Sequence, residues 1–305
     1  MYAVELDNIT KRFGDHVAVD DLTLRVPKGT IYGFIGPNGS GKTTTLRMVM
    51  RILYPNSGSI RVLGEDVLGK GAVSDRVGYL PEERGLYKKM KIKDALRFYA
   101  DLKNTPNAKS AVDWWLERMG LQDWADKRVE ALSKGMAQKA QFIGAVICRP
   151  ELIILDEPFT GLDPVNTDVI REVVLELKRD GATIIFSTHD MLMAEKMCDY
   201  IFMIFKGRKV LDGTLDEIQS AYGTDTLRVR VDANGKPLDT LPGVQKVTDF
   251  GKYQELRIEN GVDTQTVLAD LMARGRVDHF ELARPSLHDI FVRIAGPEAE
   301  EASHA

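Results

Sequence analysis

The chain has 305 residues, with 41 lysines and arginines against 45 aspartates and glutamates and a formal net charge of −4. That balance argues against a protein that gains affinity by displacing phosphate counterions from nucleic acid, because such a protein needs clustered positive charge. At 44% hydrophobic and 28% charged, the composition is that of ordinary globular material long enough for two domains, neither collagen-like nor disordered.

The first residues include Glu5 and Asp7, where a secretory leader would need basic side chains, and they lack a continuous apolar core. From Tyr2 to about Leu215, short β-rich segments alternate with helical ones, the pattern of a sheet layered with helices. The apolar runs predict strands at Ile31 to Ile35, Leu152 to Leu155 and Thr183 to Phe186, the last two of the kind buried in parallel sheets. Between about 88 and 130 the reading is helical, with Ala95, Phe98, Tyr99 and Leu102 expected on one face and Trp114, Trp115, Leu116 and Met119 further on. Cys148 and Cys198 stand alone in apolar stretches, which predicts no disulfide and a reducing compartment. The run Tyr200 to Phe205 is far shorter than the roughly 18 residues of a membrane span, so work at a membrane is expected to come through a partner.

After about Ser220 the pattern becomes that of a small α+β domain over 221–295. Strands are predicted at Thr226 to Val231, Val244 to Phe250, Tyr253 to Ile258 and Val277 to Leu282. A helix is predicted at Thr264 to Arg274 and another starting at Pro285. Residues 296–305 form a polar, acidic tail expected to fray.

The chemistry is concentrated in two places. Gly36-Pro37-Asn38-Gly39-Ser40-Gly41-Lys42-Thr43, with Thr44 next, follows the Ile31 strand and opens a helical run. Glycines at that spacing let the backbone wrap phosphates, amides at a helix N-terminus face the negative charge, Lys42 reaches the β- and γ-phosphates, and Thr43 ligates magnesium. The second place is the Leu152 strand, which ends in Asp156 and Glu157. Beside a phosphate loop, Asp156 is expected to hold the magnesium and Glu157 to act as general base toward water.

With those motifs the chain resembles the ATP-binding cassette (ABC) ATPases. Leu132-Ser133-Lys134-Gly135-Met136 resembles the family signature, Phe159 to Pro164 its D-loop, Ser187 to Asp190 its switch histidine, and Gly78 to Gly85 its Q-loop. Phe13 falls where the family places an aromatic that stacks on adenine. The resemblance covers about residues 1–215 and implies an α/β fold with a P-loop NTPase core of ABC type over 1–220, a helical insert, and here an added C-terminal α+β domain. It implies that ATP and Mg2+ are the ligands, that Ser133 and Gly135 act across a dimer of cassettes, that Asp163 of the D-loop belongs to the nucleotide site, and that His189 bonds the γ-phosphate and the attacking water. Asp163 is also expected to cap the helix begun by Pro164.

Lys134 and Met136 depart from the usual signature, and Glu82 stands where the family has glutamine. That carboxylate can still offer oxygen to magnesium, though it adds negative charge beside the triphosphate. Glu82, the Arg84 to Tyr87 stretch, the signature and the Pro285 to Phe291 ending resemble one branch, the ATPase subunits of bacterial type 2 exporters. That branch implies a separate integral membrane permease, a second ATPase subunit (a homodimer being the simpler arrangement), and a cytoplasmic place on the inner face of the membrane. The C-terminal domain is then either a structural, dimer-supporting appendage or a regulatory sensor. The alternative is a soluble ABC ATPase acting on nucleic acid or ribosomes. Against it stand the acidic charge, the single cassette and the absence of sustained heptads between Lys42 and Ser133.

Overall fold

The computed structural model describes residues 1–67, 69, 74–83, 85–223, 225–232, 237–259 and 261–296, so Arg84 and the tail beyond 296 lie outside the described residues. Two units divide between Thr214 and Leu215. The first contains β1 (Tyr2–Phe13), β2 (His16–Pro27), β3 (Ile31–Ile35), α1 (Lys42–Val49), β4 (Ser57–Val62), β5 (Glu65–Asp66) and β6 (Val77–Leu80). It continues through α2 (Ile92–Leu102), α3 (Ala108–Arg118), α4 (Lys134–Val146), β7 (Leu152–Asp156), α5 (Pro164–Arg179) and β8 (Thr183–Thr188). It closes with α6 (Met191–Met197), β9 (Tyr200–Phe205) and β10 (Arg208–Gly213).

The central sheet has the order β10-β9-β3-β8-β7-β6, with β3 parallel to β8 and β9, and β7 parallel to β6 and β8. Its strands read as continuous apolar runs because both faces are covered. In β7, Ile153 and Leu155 point into a core shared with α2, α3, α4 and α5, while Leu152 and Ile154 point into a second core facing β1, β2 and β4. Those strands, with β5, make a separate antiparallel sheet of order β2-β1-β4-β5, an addition to the strands expected from the apolar runs.

The helical insert differs from expectation in which face it buries. Ile92, Ala95, Leu96 and Ala100 are the buried residues of α2, while Phe98 is 44% and Leu102 60% exposed. Both sides of α2 are apolar, and the Ile92, Leu96, Ala100 row at four-residue spacing is the one that meets α4 and the sheet. Trp115 is buried, whereas Trp114 lies under the Arg149 guanidinium. Both cysteines are free, and burial pushes both thiols up.

Strand β6 packs against α4 with no room to spare, because a Cβ on Gly78 would lie 2.1 Å from the Ala145 carbonyl oxygen and 2.9 Å from the Pro150 ring. Gly78→Ala is expected to destabilise the protein by about 1–3 kcal/mol. The loss would appear as a lower urea midpoint at unchanged slope.

The second unit contains α7 (Leu215–Ala221), β11 (Thr226–Asp232), β12 (Val244–Asp249), β13 (Gln254–Ile258), α8 (Thr264–Arg274), β14 (Arg276–Ala283) and α9 (Leu287–Ala295). It begins before the expected boundary near 220. Helix α7 instead belongs here, with Gln219 Nε2 donating to the Pro285 carbonyl at 3.0 Å and Asp216 paired with Arg284. The sheet order is β12-β13-β11-β14, and Leu227, Val229, Leu256, Ile258, Val267 and Leu271 form the heart of its core. Pro285 does not start the last helix. Ser286 is its N-cap, in a reciprocal capping box with Asp289, and Pro285 precedes the cap.

Candidate functional site

The turn from β3 into α1 is built on glycine. A Cβ on Gly36 would sit 2.2 Å from the Ile204 carbonyl oxygen, and one on Gly41, at φ +109°, would sit 2.5 Å from the Ala18 carbonyl oxygen. These approaches seat the loop against β9 and β2. Lys42, the first residue of α1, is buried and donates from Nζ to the Gly36 and Pro37 carbonyls at 2.6 and 3.1 Å. Burial pushes its ammonium below the ordinary lysine range, against the opposite pull of Glu157, Asp156 and Glu82.

Register brings the acids to the loop. Asp156, the last residue of β7, pairs with Ser187 of β8 and is fully buried. Its Oδ1 accepts from the Ser187 hydroxyl and from Thr43 Oγ1, the latter at 3.3 Å, while Oδ2 is buried with no partner among the described residues. A carboxylate with one oxygen orphaned and the other bonded to the Thr43 hydroxyl is the donor set a hard divalent cation takes, with phosphate and water completing its shell. Among the described residues no three His, Cys, Asp or Glu side chains cluster to hold a metal without such help.

Glu157 departs from the strand into the left-handed region at φ +50°, with its N–H donating to the Ser187 carbonyl at 3.1 Å. Its Oε1 lies 2.9 Å from His189 Nδ1, and its Oε2 accepts from Thr160 Oγ1 at 3.2 Å. Glu157 therefore has both oxygens engaged, one of them by the half-exposed His189.

A cleft of about 440 Å³ opens over the loop, lined by Phe13, His16, Ala18, the backbone and side chains of Asn38, Gly39, Ser40, Gly41, Lys42, Thr43 and Thr44, and by Glu82 and Glu157. Phe13 is 47% exposed at the cleft, with Lys11 Nζ over its ring at 5.1 Å from the centroid. Gly36 and Pro37 hold the base of the loop through Lys42. Asp156 joins the cleft through Thr43, and His189 joins it through Glu157.

Ser133, Gly135 and Asp163 neither line this cleft nor reach it through a residue that does. Ser133 caps α4, its Oγ accepting from the Met136 amide at 3.3 Å, and Gly135 packs against Asn166 of α5. Asp163 caps α5 through the Asn166 amide at 2.9 Å, which holds its carboxyl below the usual range. Within one chain the signature and D-loop form a second group, apart from the phosphate loop. Sequence reasoning assigned no role to Ser187, Thr160 or Gln141, whose contacts arise from strand register and helix packing that no local spacing announces.

Residues 19–160 match the model of the ABC transporter family, and residues 213–295 match that of the C-terminal domain of DrrA1-3-like ATP-binding proteins. The ABC transporter ATP-binding protein YhaQ of Bacillus subtilis, itself uncharacterised, is 42% identical over 95% of this chain and 98% of its own length. This chain belongs to the ATP-binding proteins of the ABC transporter family. The Nod factor export ATP-binding protein I of Cupriavidus metallidurans is 35% identical over 98% of the chain and 99% of its own. Among solved structures, an ATP-binding subunit of an ABC transporter superposes with a TM-score of 0.68 at 30% identity, covering 72% of this chain and 93% of that one. The cassette is thus an ATPase, and no described helix is long and apolar enough to cross a membrane.

Proposed function

We propose that this cassette is the ATP-hydrolysing subunit of an exporter, working as a homodimer on the cytoplasmic face of the cell membrane beside an integral membrane permease. The observation that carries the reading is the split of the site. Lys42, Thr43 and Glu157 line the cleft with Asp156 bonded behind Thr43, while Ser133, Gly135 and Asp163 stand outside it in the same chain. A second copy, turned so that its signature faces this cleft, would complete the shell around the γ-phosphate with the N-terminal amides of α4.

In that arrangement Phe13 stacks on the adenine, the loop amides from Asn38 to Thr44 wrap the phosphates, and Lys42 Nζ moves from the Gly36 and Pro37 carbonyls to phosphate oxygen. Thr43, Asp156 and Glu82 would hold magnesium, which when bound neutralises the charge developing between the β- and γ-phosphates. Glu157 takes the proton from water at a carboxylate oxygen, and His189, bonded to that carboxylate, aligns it. Each ATP favours closure only by its greater affinity for the closed pair.

The export assignment draws on the Nod factor relative and on an apolar edge of the helical insert. Tyr87, Phe98 and Leu102 are all exposed, with the Tyr87 and Phe98 rings 5.9 Å apart. A permease that docks there would bury them. Purifying the protein from its native host in mild detergent should recover a stoichiometric multi-span membrane protein, and Phe98→Asp with Leu102→Asp should lose that partner while retaining ATP. Recovery alone, or with ribosomes or nucleic acid, would sink the exporter reading.

A further inference from the structure

We infer that Gln141 is a positioning residue, which holds Glu82 at the nucleotide cleft by tying its loop to the signature helix. Helix α4 starts at its Ser133 cap, and Gln141 lies two turns further along, about 12 Å at the α-helical rise. The Gln141 side chain is buried, and its Nε2 donates to the Pro81 carbonyl at 3.3 Å and to the Glu83 carbonyl at 3.0 Å. Both N–H groups of one amide are thus spent on the two carbonyls that bracket Glu82.

A primary amide is suited to this task, since it presents two donors from one nitrogen without adding charge. Glutamate in its place would turn acceptors toward two carbonyls. The tie acts on a loop whose other end is already fixed, because β6 meets α4 at Gly78 and Ala145 with no space between them. Glu82 is therefore the part of the loop left facing the cleft, where it contributes to the lining with Lys42 and Thr43. A helix that carries the signature at its first turn and grips the Glu82 loop at its third passes any displacement of one to the other. The inference rests on the reading of Glu82 as a carboxylate that faces the metal.

The test uses the full chain saturated with the non-hydrolysable analogue AMP-PNP, with Mn2+ as probe and its affinity read by electron paramagnetic resonance. Gln141→Leu keeps the volume and removes both donors, and it should weaken Mn2+ about tenfold, the scale of losing a partner that orients a metal ligand. Glu82→Ala should weaken Mn2+ similarly, and the double variant no further. Gln141→Asn keeps the donors one methylene short of both carbonyls and should fall between wild type and Gln141→Leu, which supplies a reading if the leucine variant does not fold. Wild-type Mn2+ affinity in both Gln141 variants, with Glu82→Ala weakened, would overturn the inference alone. An unaffected Glu82→Ala would remove the reading of Glu82 and the inference with it. Additive losses would mean that Gln141 acts apart from Glu82, which also overturns it.

Discussion

Glu157→Gln is expected to slow ATP hydrolysis on the order of a hundred- to ten-thousand-fold while leaving ATP binding intact. The amide has the size and shape of the carboxylate, so the left-handed backbone at φ +50° and the bonds of the residue's N–H to Ser187 carry over unchanged. One amide oxygen can still accept from Thr160 or His189, whose contacts with Glu157 are 3.2 and 2.9 Å. What glutamine cannot do is take a proton from water. Phosphate release in a single turnover, set beside equilibrium binding of a fluorescent ATP analogue, separates the two effects. Turnover close to that of the unaltered protein would mean that the base is another group.

Lys42→Met is expected to act on binding instead, weakening ATP on the order of a hundredfold, the scale of truncating one partner of a buried charge pair. Lys42 is already desolvated in the loop, and its ammonium faces the three acids Glu157, Asp156 and Glu82. Without the ammonium, the repulsion between those carboxylates and the triphosphate is less well offset and adds to the lost contact. The measurement is the shift in melting temperature with ATP. The unaltered protein should gain heat stability with the logarithm of ligand concentration over Kd, and the variant should need far more ATP for the same gain.

Much of the site was legible because its chemistry lies in contiguous stretches. The phosphate loop is a run of eight residues after an apolar strand, and the acids stand at the end of another, so spacing alone carries both. The long strands β1 and β2 were missed for a physical reason. Their pairing shifts register around Leu6, Ile9 and Lys11, so the alternation of Val4, Leu6 and Ile9 slips out of step with a period of two. The buried face of α2 was misassigned because two apolar rows compete on one helix, and only packing decides between them. Ser187 and Gln141 became visible only once β8 lay beside β7 and α4 beside the Glu82 loop. The same holds for Asp156, whose unpartnered oxygen is a property of the assembled interior and not of its neighbours in the chain.

The order of the central sheet also sets a timetable for birth on the ribosome. Strand β3, from which the phosphate loop springs, has Ile31 beside Ile184 of β8 and Tyr32 beside Tyr200 of β9. At roughly 5–20 residues per second, translation leaves β3 without either neighbour for on the order of ten seconds after it is made. The antiparallel pair β1 and β2 needs no such wait, since its strands adjoin in the chain. ATP can shelter the new protein only after β9 has emerged, so for most of its synthesis the chain must be kept from aggregation by local structure and chaperones rather than by its own ligand.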